Sequence, residues 1–244
     1  MTTCYQPNTG HLERANDIAQ RFQAPLLPRR AFARMFHDSG ALHLYVVARE
    51  HDELRDAGGH ACFVQEGLLA SKLTTGRAHP FLRAIGEANS VVDATLGLAN
   101  DALHVATVLG CTVRGMEGSA LLHALQEEGL LRLSRSWPAA SLISSEHALA
   151  QDALAAMATG SVDVVSLDPM MSRPKKSTPS FSLLRDFAVM ERASPLLLQQ
   201  AARVARHRVV LKLGKGAPLP PGCPLAFSRC EQGTEVSYWV HDTH

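Results

Sequence analysis

The chain has 244 residues, 46% hydrophobic and 19% charged, with a formal net charge of +1. That length and balance suit one soluble α/β domain, or one such domain with a small addition, with enough apolar content for a packed core. The near-zero charge excludes a basic field over the whole surface, the signature of a bulk nucleic-acid binder, while leaving room for a local one.

Cys4, Cys62, Cys111, Cys223 and Cys230 are odd in number, and no pair has C-x-x-C spacing. Reduced thiols are the simplest reading. The twelve histidines are scattered. His207, His241 and His244 form no ligand set of the HExxH kind, so no metal site is expected. Met1–Gln20 carries Glu13, Arg14 and Asp17 without an apolar segment, and no apolar run is long enough to span a bilayer. A soluble, cytoplasmic protein with no membrane partner is expected.

In chain order, Leu42–Ala48 reads as a strand, and Ala61–Val64 as another after the Gly58-Gly59 turn. Residues 1–64 are read as a small α+β appendage. A different rhythm begins at Ser90. Ser90–Thr95 is an apolar strand that ends in a glycine-containing turn. Asp101–Leu109 is a helix stopped by Gly110. Cys111–Met116 is a strand, and Ser119–Leu133 a helix with Gly129 as its weak point. Ser141–Ser144 is a short strand and Ala148–Ala158 a helix. Val162–Leu167 is a strand ended by Asp168-Pro169. Ser194–Arg206 is a helix, Arg208–Leu213 a strand, and Leu225–Arg229 and Glu235–Val240 two more, turned at Gln232-Gly233. Strands alternating with helices specify a doubly wound α/β sheet, mostly parallel, with helices on both faces. Such sheets bind ligands outside the carboxyl ends of their strands, at the switch point. The residues that matter are then Asp93–Asp101, Glu117, Gln151-Asp152 and Asp168–Met171.

Asp93-Ala94-Thr95-Leu96-Gly97-Leu98-Ala99-Asn100-Asp101 leaves a strand and enters a helix. Gly97 lets the backbone pass close to a ligand, and the helix N-terminus offers N–H groups to a carboxylate. One glycine here, where a dinucleotide loop shows three, argues against a pyrophosphate. The plain alternative is a βα turn capped by Asn100 or Asp101. Glu117 lies about twenty residues beyond the loop, where an acid can accept from both ribose hydroxyls. A surface glutamate opening a helix is the alternative. NAD and S-adenosylmethionine both satisfy the pair. Asp168-Pro169, followed by Met170 and Met171, ends the fourth strand of the rhythm. Its carboxylate and carbonyls can accept from an amine and aim the nitrogen lone pair at an electrophilic methyl, which is catalysis by positioning. A strand-end turn is the bland reading. Between Asp168 and Lys215 roughly ten basic residues face three acids, a local surplus that suits phosphate contacts.

These pieces together resemble the class I S-adenosylmethionine-dependent methyltransferases. More narrowly, they resemble the family of ribosomal small-subunit methyltransferase J, which methylates the exocyclic N2 of a guanine in small-subunit rRNA. The resemblance rests on Lys72–Arg77, Val91–Ala102, Gly110–Val113, Met116-Glu117, Leu167–Met170, Lys175–Ser177 and Arg208–Lys212. It implies a seven-stranded Rossmann-like sheet with the last strand antiparallel, a methyltransferase domain over residues 65–244, and S-adenosyl-L-methionine as cofactor. It implies donor contacts at Asp93, Thr95, Gly97, Asn100, Asp101, Glu117, Gly118, Gln151, Asp152 and Asp168, with Asp152 toward the adenine amine. Asp168 and Pro169 would orient the acceptor amine. Met170, Met171, Lys175, Lys176 and Arg77 would meet the substrate, rRNA or the small ribosomal subunit. Where the family reads G-L-G-R-D, this chain reads Gly97-Leu98-Ala99-Asn100-Asp101, so Ala99 adds a methyl where the backbone would approach the ligand and Asn100 replaces an arginine. Met171 stands where the family has an aromatic residue. An NAD enzyme on a similar sheet and a non-catalytic donor- or RNA-binding relative are the other classes.

Overall fold

A computed structural model describes residues 1–7, 10–65, 72–169, 179–189 and 192–243. The described strands form two sheets. The first has five, β1 (Thr2–Tyr5), β2 (Leu26–Pro28), β3 (His43–Val47), β4 (Glu53–Asp56) and β5 (Ala61–Cys62), in the order β2-β1-β3-β4-β5. β1 lies parallel to β2 and β3, through crossovers that hold α1 (Leu12–Arg21) and α2 (Phe32–Ser39). β4 and β5 follow antiparallel. The period of two divides β3. Leu44 and Val46 pack with Met35 of α2 on one face. Tyr45 and Val47 pack on the other with Leu54, Cys62 and the helices of the second sheet.

The second sheet has seven strands, β6 (Ser90–Asp93), β7 (Thr112–Glu117), β8 (Ile143–His147), β9 (Val162–Leu167), β10 (Ala205–Gly214), β11 (Arg229–Gln232) and β12 (Val236–Asp242), in the order β11-β12-β10-β9-β6-β7-β8. The five central and β8-side strands are parallel, while β12 runs antiparallel to both β10 and β11. This is the mostly parallel, doubly wound sheet expected, with its antiparallel last strand. Adjacent valines show why its strands read as unbroken apolar runs. Val91, Val164 and Val210 enter the core on one face, and Val92, Val165 and Val209 the core on the other. The first face holds α3 (Pro80–Ile85) and α4 (Asn100–Leu109) together with the end of α5 (Ala120–Ser134). The second holds α6 (Ala150–Ala156) and α8 (Pro195–Val204). The remaining helix, α7 (Pro179–Phe187), packs against the five-stranded sheet.

Several boundaries differ from the expectation. No strand forms over Leu225–Ser228, because Leu225 and Phe227 pack against the core and pairing to β12 starts only where the Ser228 N–H reaches the Val240 carbonyl. Pro138–Leu142 winds into a 3-10 turn, which moves β8 two residues on. The Ala148 N–H donates to the Glu117 carbonyl and Leu149 is extended, so α6 starts at Ala150 and is shorter than the alanine-rich stretch suggests. β1, β2 and β4 were not anticipated, being only 3 to 4 residues long.

Gly129, a weak point by helix propensity, is a packing notch. A Cβ added there would stand 2.3 Å from Val64 Cβ, a branched atom next to the backbone. Replacing an interior helix glycine by alanine gains about 1 kcal/mol in propensity, whereas overpacking a rigid neighbour costs about 1–3 kcal/mol. Overpacking wins. Gly129→Ala should lower the urea midpoint of the full chain at unchanged m-value, and a raised midpoint would show that Val64 gives way freely.

Candidate active site

In the second sheet the chain runs from β6 outward through β7 to β8, then returns to place β9 on the other side of β6. The switch point therefore falls between β6 and β9. A cleft of about 390 Å³ opens there, within the range of small-molecule sites. Asp93, Thr95, Gly97, Asn100, Asp101, Glu117, Gly118 and Asp168 all line it.

The loop between β6 and α4 is pinned to both neighbouring strands. The Ala94 N–H donates to the Ser166 carbonyl and the Leu96 N–H to that of Met116. Gly97 has φ +54°, and an added Cβ would meet only the Thr95 carbonyl, at 3.9 Å. Its requirement is thus dihedral rather than steric. The Gly97 N–H donates to Glu117 Oε2 at 3.1 Å, and its carbonyl accepts from Gln126 Nε2 at 2.6 Å. Glu117 Oε1 accepts from the Ser119 N–H at 2.8 Å. Burial raises the Glu117 pKa in spite of these bonds. Ala99 is fully buried in the core with φ +59°. Ala99 is not among the residues that line the cleft. What replaces the family's glycine is a left-handed alanine, at a cost of about 1–2 kcal/mol.

Four charges run across the floor. Lys72 Nζ lies 2.5 Å from Asp101 Oδ1, and Lys212 Nζ lies 2.8 Å from Asp101 Oδ2 and 2.6 Å from Asp168 Oδ2. Burial opposes ionisation of Asp101, but Lys212 and Lys72 together hold it far below the carboxylate range. Burial likewise opposes the Lys212 charge, and Asp101 and Asp168 keep it well above the usual lysine value. Asp168 is raised by burial, against the pull of Lys212. Its backbone N–H donates to Thr95 Oγ1 at 2.7 Å, tying the end of β9 to the loop between β6 and α4. Burial, aided by the Asp101 charge, pushes Asp93 up to about 7.

Other expected residues fall elsewhere. Pro169 is buried immediately after Asp168. Gln151 and Asp152 sit in the first turn of α6, outside the cleft lining. Gln151 accepts from Ser194, and Asp152 is exposed. Arg77 is exposed, paired with Glu87 at 2.8 Å, and does not line the cleft. Met170, Met171, Lys175 and Lys176 lie outside the described residues. Sequence reading missed Lys72 and Lys212 as site residues, and it missed the contribution of Cys62, Phe63 and Gln65 to the lining. Lys212 carried a signal, a lysine between Leu211 and Leu213 in an apolar strand. Among the described residues no group of three or more His, Cys, Asp or Glu could hold a metal, and no helix is long and apolar enough to cross a membrane.

Asp93 binds its proton more tightly folded than unfolded, so the fold loses stability as pH rises from about 4 to about 7 and recovers none above. Asp93→Asn removes that loss while keeping an acceptor for the Thr95 N–H. The variant should exceed the parent by about 2–4 kcal/mol at pH 8 and by less at pH 5. Denaturant melts at both values check this, and a gap that does not narrow toward pH 5 would contradict it.

The chain can be set beside known proteins. It is 39% identical over 164 residues to ribosomal RNA small subunit methyltransferase J of Nitrosococcus oceani, covering 63% of this chain and 64% of that protein. With the protein of the same name from Alteromonas mediterranea it shares 36% over 155 residues, 60% of each chain. These matches span less than two thirds of those relatives' lengths. A longer match, 29% over 228 residues and 87% of each chain, is to the Bacillus subtilis protein YpiP. The crystal structure of a SAM-dependent methyltransferase from Neisseria gonorrhoeae superposes with TM-score 0.72 at 20% identity, over 100% of this chain and 96% of that one, which establishes the fold. The model of the family described as "Putative SAM-dependent methyltransferase" matches residues 41–224. The chain belongs to that SAM-dependent methyltransferase family.

Proposed function

We propose that this protein transfers a methyl group from S-adenosylmethionine to the exocyclic N2 amine of a guanine in small-subunit rRNA. The observation that carries the reading is that Asp168, at the end of β9, shares one cleft with Asp93, Gly97 and Glu117 at the ends of β6 and β7. A donor-side loop and an acceptor-side carboxylate thus open on the same space. The sequence relation to the two J methyltransferases supports the choice of substrate.

The residues present fit the donor. The described lining carries four carboxylates, Asp93, Asp101, Glu117 and Asp168, against the two ammonium groups of Lys72 and Lys212. This acidic excess favours a cofactor of net charge +1, with its sulfonium and ammonium groups, and opposes a pyrophosphate. Among the described residues Asn100 Oδ1 is buried without a partner at the start of α4, an acceptor that a ligand ammonium or hydroxyl would satisfy. Glu117, fixed by Gly97 and Ser119, is preorganised to accept from ribose hydroxyls. The α4 N-terminus offers N–H groups to the methionine carboxylate. When bound, the donor supplies an electrophilic methyl on sulfur.

This chain's residues do the rest by placement. The Asp168 carboxylate and the Pro169 carbonyl accept the acceptor amine's hydrogens and turn its lone pair toward the methyl. The proton lost on alkylation passes to Asp168 or to water. Residues 1–64 serve as an appendage to a donor domain of residues 65–244, and Lys175 and Lys176 meet the RNA backbone. Another amine acceptor is the second reading, favoured by Met171 in place of the family's aromatic and by the longer match to YpiP.

Transfer of a tritiated methyl to small ribosomal subunits and to their naked rRNA tests the proposal. The parent should label rRNA, while Asp168→Ala should lose about 100-fold or more in kcat with donor affinity kept within about threefold. Retained turnover would remove the orienting role of Asp168. Glu117→Ala should weaken donor binding about tenfold or more, the scale of a hydrogen bond to a charged group. Unchanged affinity in equilibrium dialysis would take Glu117 out of the ribose site. Labelling of other acceptors but no rRNA would select the second reading.

A further inference from the structure

The charges on the cleft floor are more elaborate than donor binding requires. Lys212 sits on β10 with only 18% of its side chain exposed, and its ammonium bridges two carboxylates from different elements, Asp101 on α4 and Asp168 after β9. Asp101 is held from its other oxygen by Lys72. Lys212 therefore cannot swing away from Asp168 without leaving Asp101 half paired, and Asp101 cannot follow because Lys72 restrains it.

Asp168 is restrained twice. Its backbone N–H is tied to Thr95 Oγ1, and its side chain is tied through Oδ2 to Lys212. Among the described residues no hydrogen bond to Oδ1 is present, and the side chain is 40% exposed on a residue that lines the cleft. One oxygen is fixed and the other is offered. That is the arrangement needed to hold an amine hydrogen in one direction, because a carboxylate free to rotate would present either oxygen at any angle.

We propose that Lys212 is a positioning residue for methyl transfer, clamping one oxygen of Asp168 against Asp101 so that the other faces the acceptor amine. This rests on the acceptor role given to Asp168 above and adds what makes that role possible. The clamp also joins the two halves of the site, since Asp101 opens the helix that follows the donor loop. A purely structural ion pair would not need the bridge to end on a partly exposed carboxylate. Burying a lysine in a strand flanked by Leu211 and Leu213 is costly unless it is paired, and an apolar residue would suit that strand better.

The ammonium also favours the ionised form of Asp168, opposing burial and the neighbouring Asp101 charge. The groups that face this cluster are Lys72, Asp93 on β6, Asp101 on α4, Tyr238 on β12, and His79 with His104 beside Lys72 and Asp101. None of these bonds the Asp168 carboxylate, whose partner among the described residues is Lys212. Its removal should therefore shift Asp168 titration upward.

The test uses the full chain with Lys212→Met and Lys212→Arg. Three quantities are read: kcat at saturating donor and rRNA, donor affinity by calorimetry, and the Asp168 midpoint from carbon-13 side-chain shifts, identified by its loss in Asp168→Asn. Lys212→Met should lower kcat about 50-fold or more with donor affinity within about threefold. Its Asp168 midpoint, and with it the acidic limb of the pH–rate profile, should rise by about one unit or more. Lys212→Arg keeps the charge but changes the geometry, so the midpoint should hold while kcat still falls about fivefold or more. That variant decides the matter if the methionine form does not fold. Parental kcat in a folded variant, an unmoved midpoint in Lys212→Met, or a loss in donor affinity as large as the loss in kcat would each overturn the inference. If the parent itself does not methylate rRNA, the acceptor reading fails, and the midpoint measurement alone decides whether Lys212 governs Asp168.

Discussion

Lys212 sits between Leu211 and Leu213 on β10, a strand covered on both faces, and its ammonium meets Asp101 and Asp168. A charge in such a place must be paired, because removing one partner of a buried pair costs about 3–5 kcal/mol. The constraint propagates outward. Asp101 must lie at the start of α4 to reach it, which fixes where the loop from Asp93 ends. Asp168 must lie at the end of β9, which the parallel register with β10 supplies through Leu167 opposite Leu211. Lys72 must then approach from the far side to balance Asp101. The cleft is the space left above these four charges, and its shape follows from their pairing as much as from the sheet.

The five-stranded sheet takes part in that site. Its Tyr45, Leu54 and Cys62 share a core with Leu122 and Leu125 of α5 and Leu183 and Leu184 of α7. That packing brings Cys62, Phe63 and Gln65 to the cleft wall. Phe63 is braced there by His51, with ring centroids 3.8 Å apart and planes 16° from parallel. The lining therefore joins apolar side chains to the charged groups of Asp101, Asp168, Lys72 and Lys212.

Much of this was readable without coordinates. The second sheet announced itself because each strand is buried on both sides, so Val91-Val92, Val164-Val165 and Val209-Val210 each supply one valine to each face. The strand ends then pointed to Asp93, Gly97, Glu117 and Asp168, all of which line one cleft. The first sheet was largely hidden. β1 is Thr2–Tyr5 and β2 is three residues with a proline, too short and too mixed to show a period. The start of α6 was not legible, because an alanine-rich stretch does not show where its helix begins; Gln151 and Asp152 fall in its first turn. Lys72 could not have been found by local pattern, since its meaning lies in a contact with Asp101 across 29 residues of chain. Lys212 could have been, because a lone charge inside an apolar strand asks for a buried partner.

The central claim is that this cleft is an S-adenosylmethionine site and not a dinucleotide site. Calorimetry of the full chain with S-adenosylmethionine, and separately with NADH, addresses it most directly. Saturable binding of S-adenosylmethionine at one site per chain, with no heat from NADH, is the result this account predicts. Binding of NADH, or no binding of S-adenosylmethionine, would contradict it.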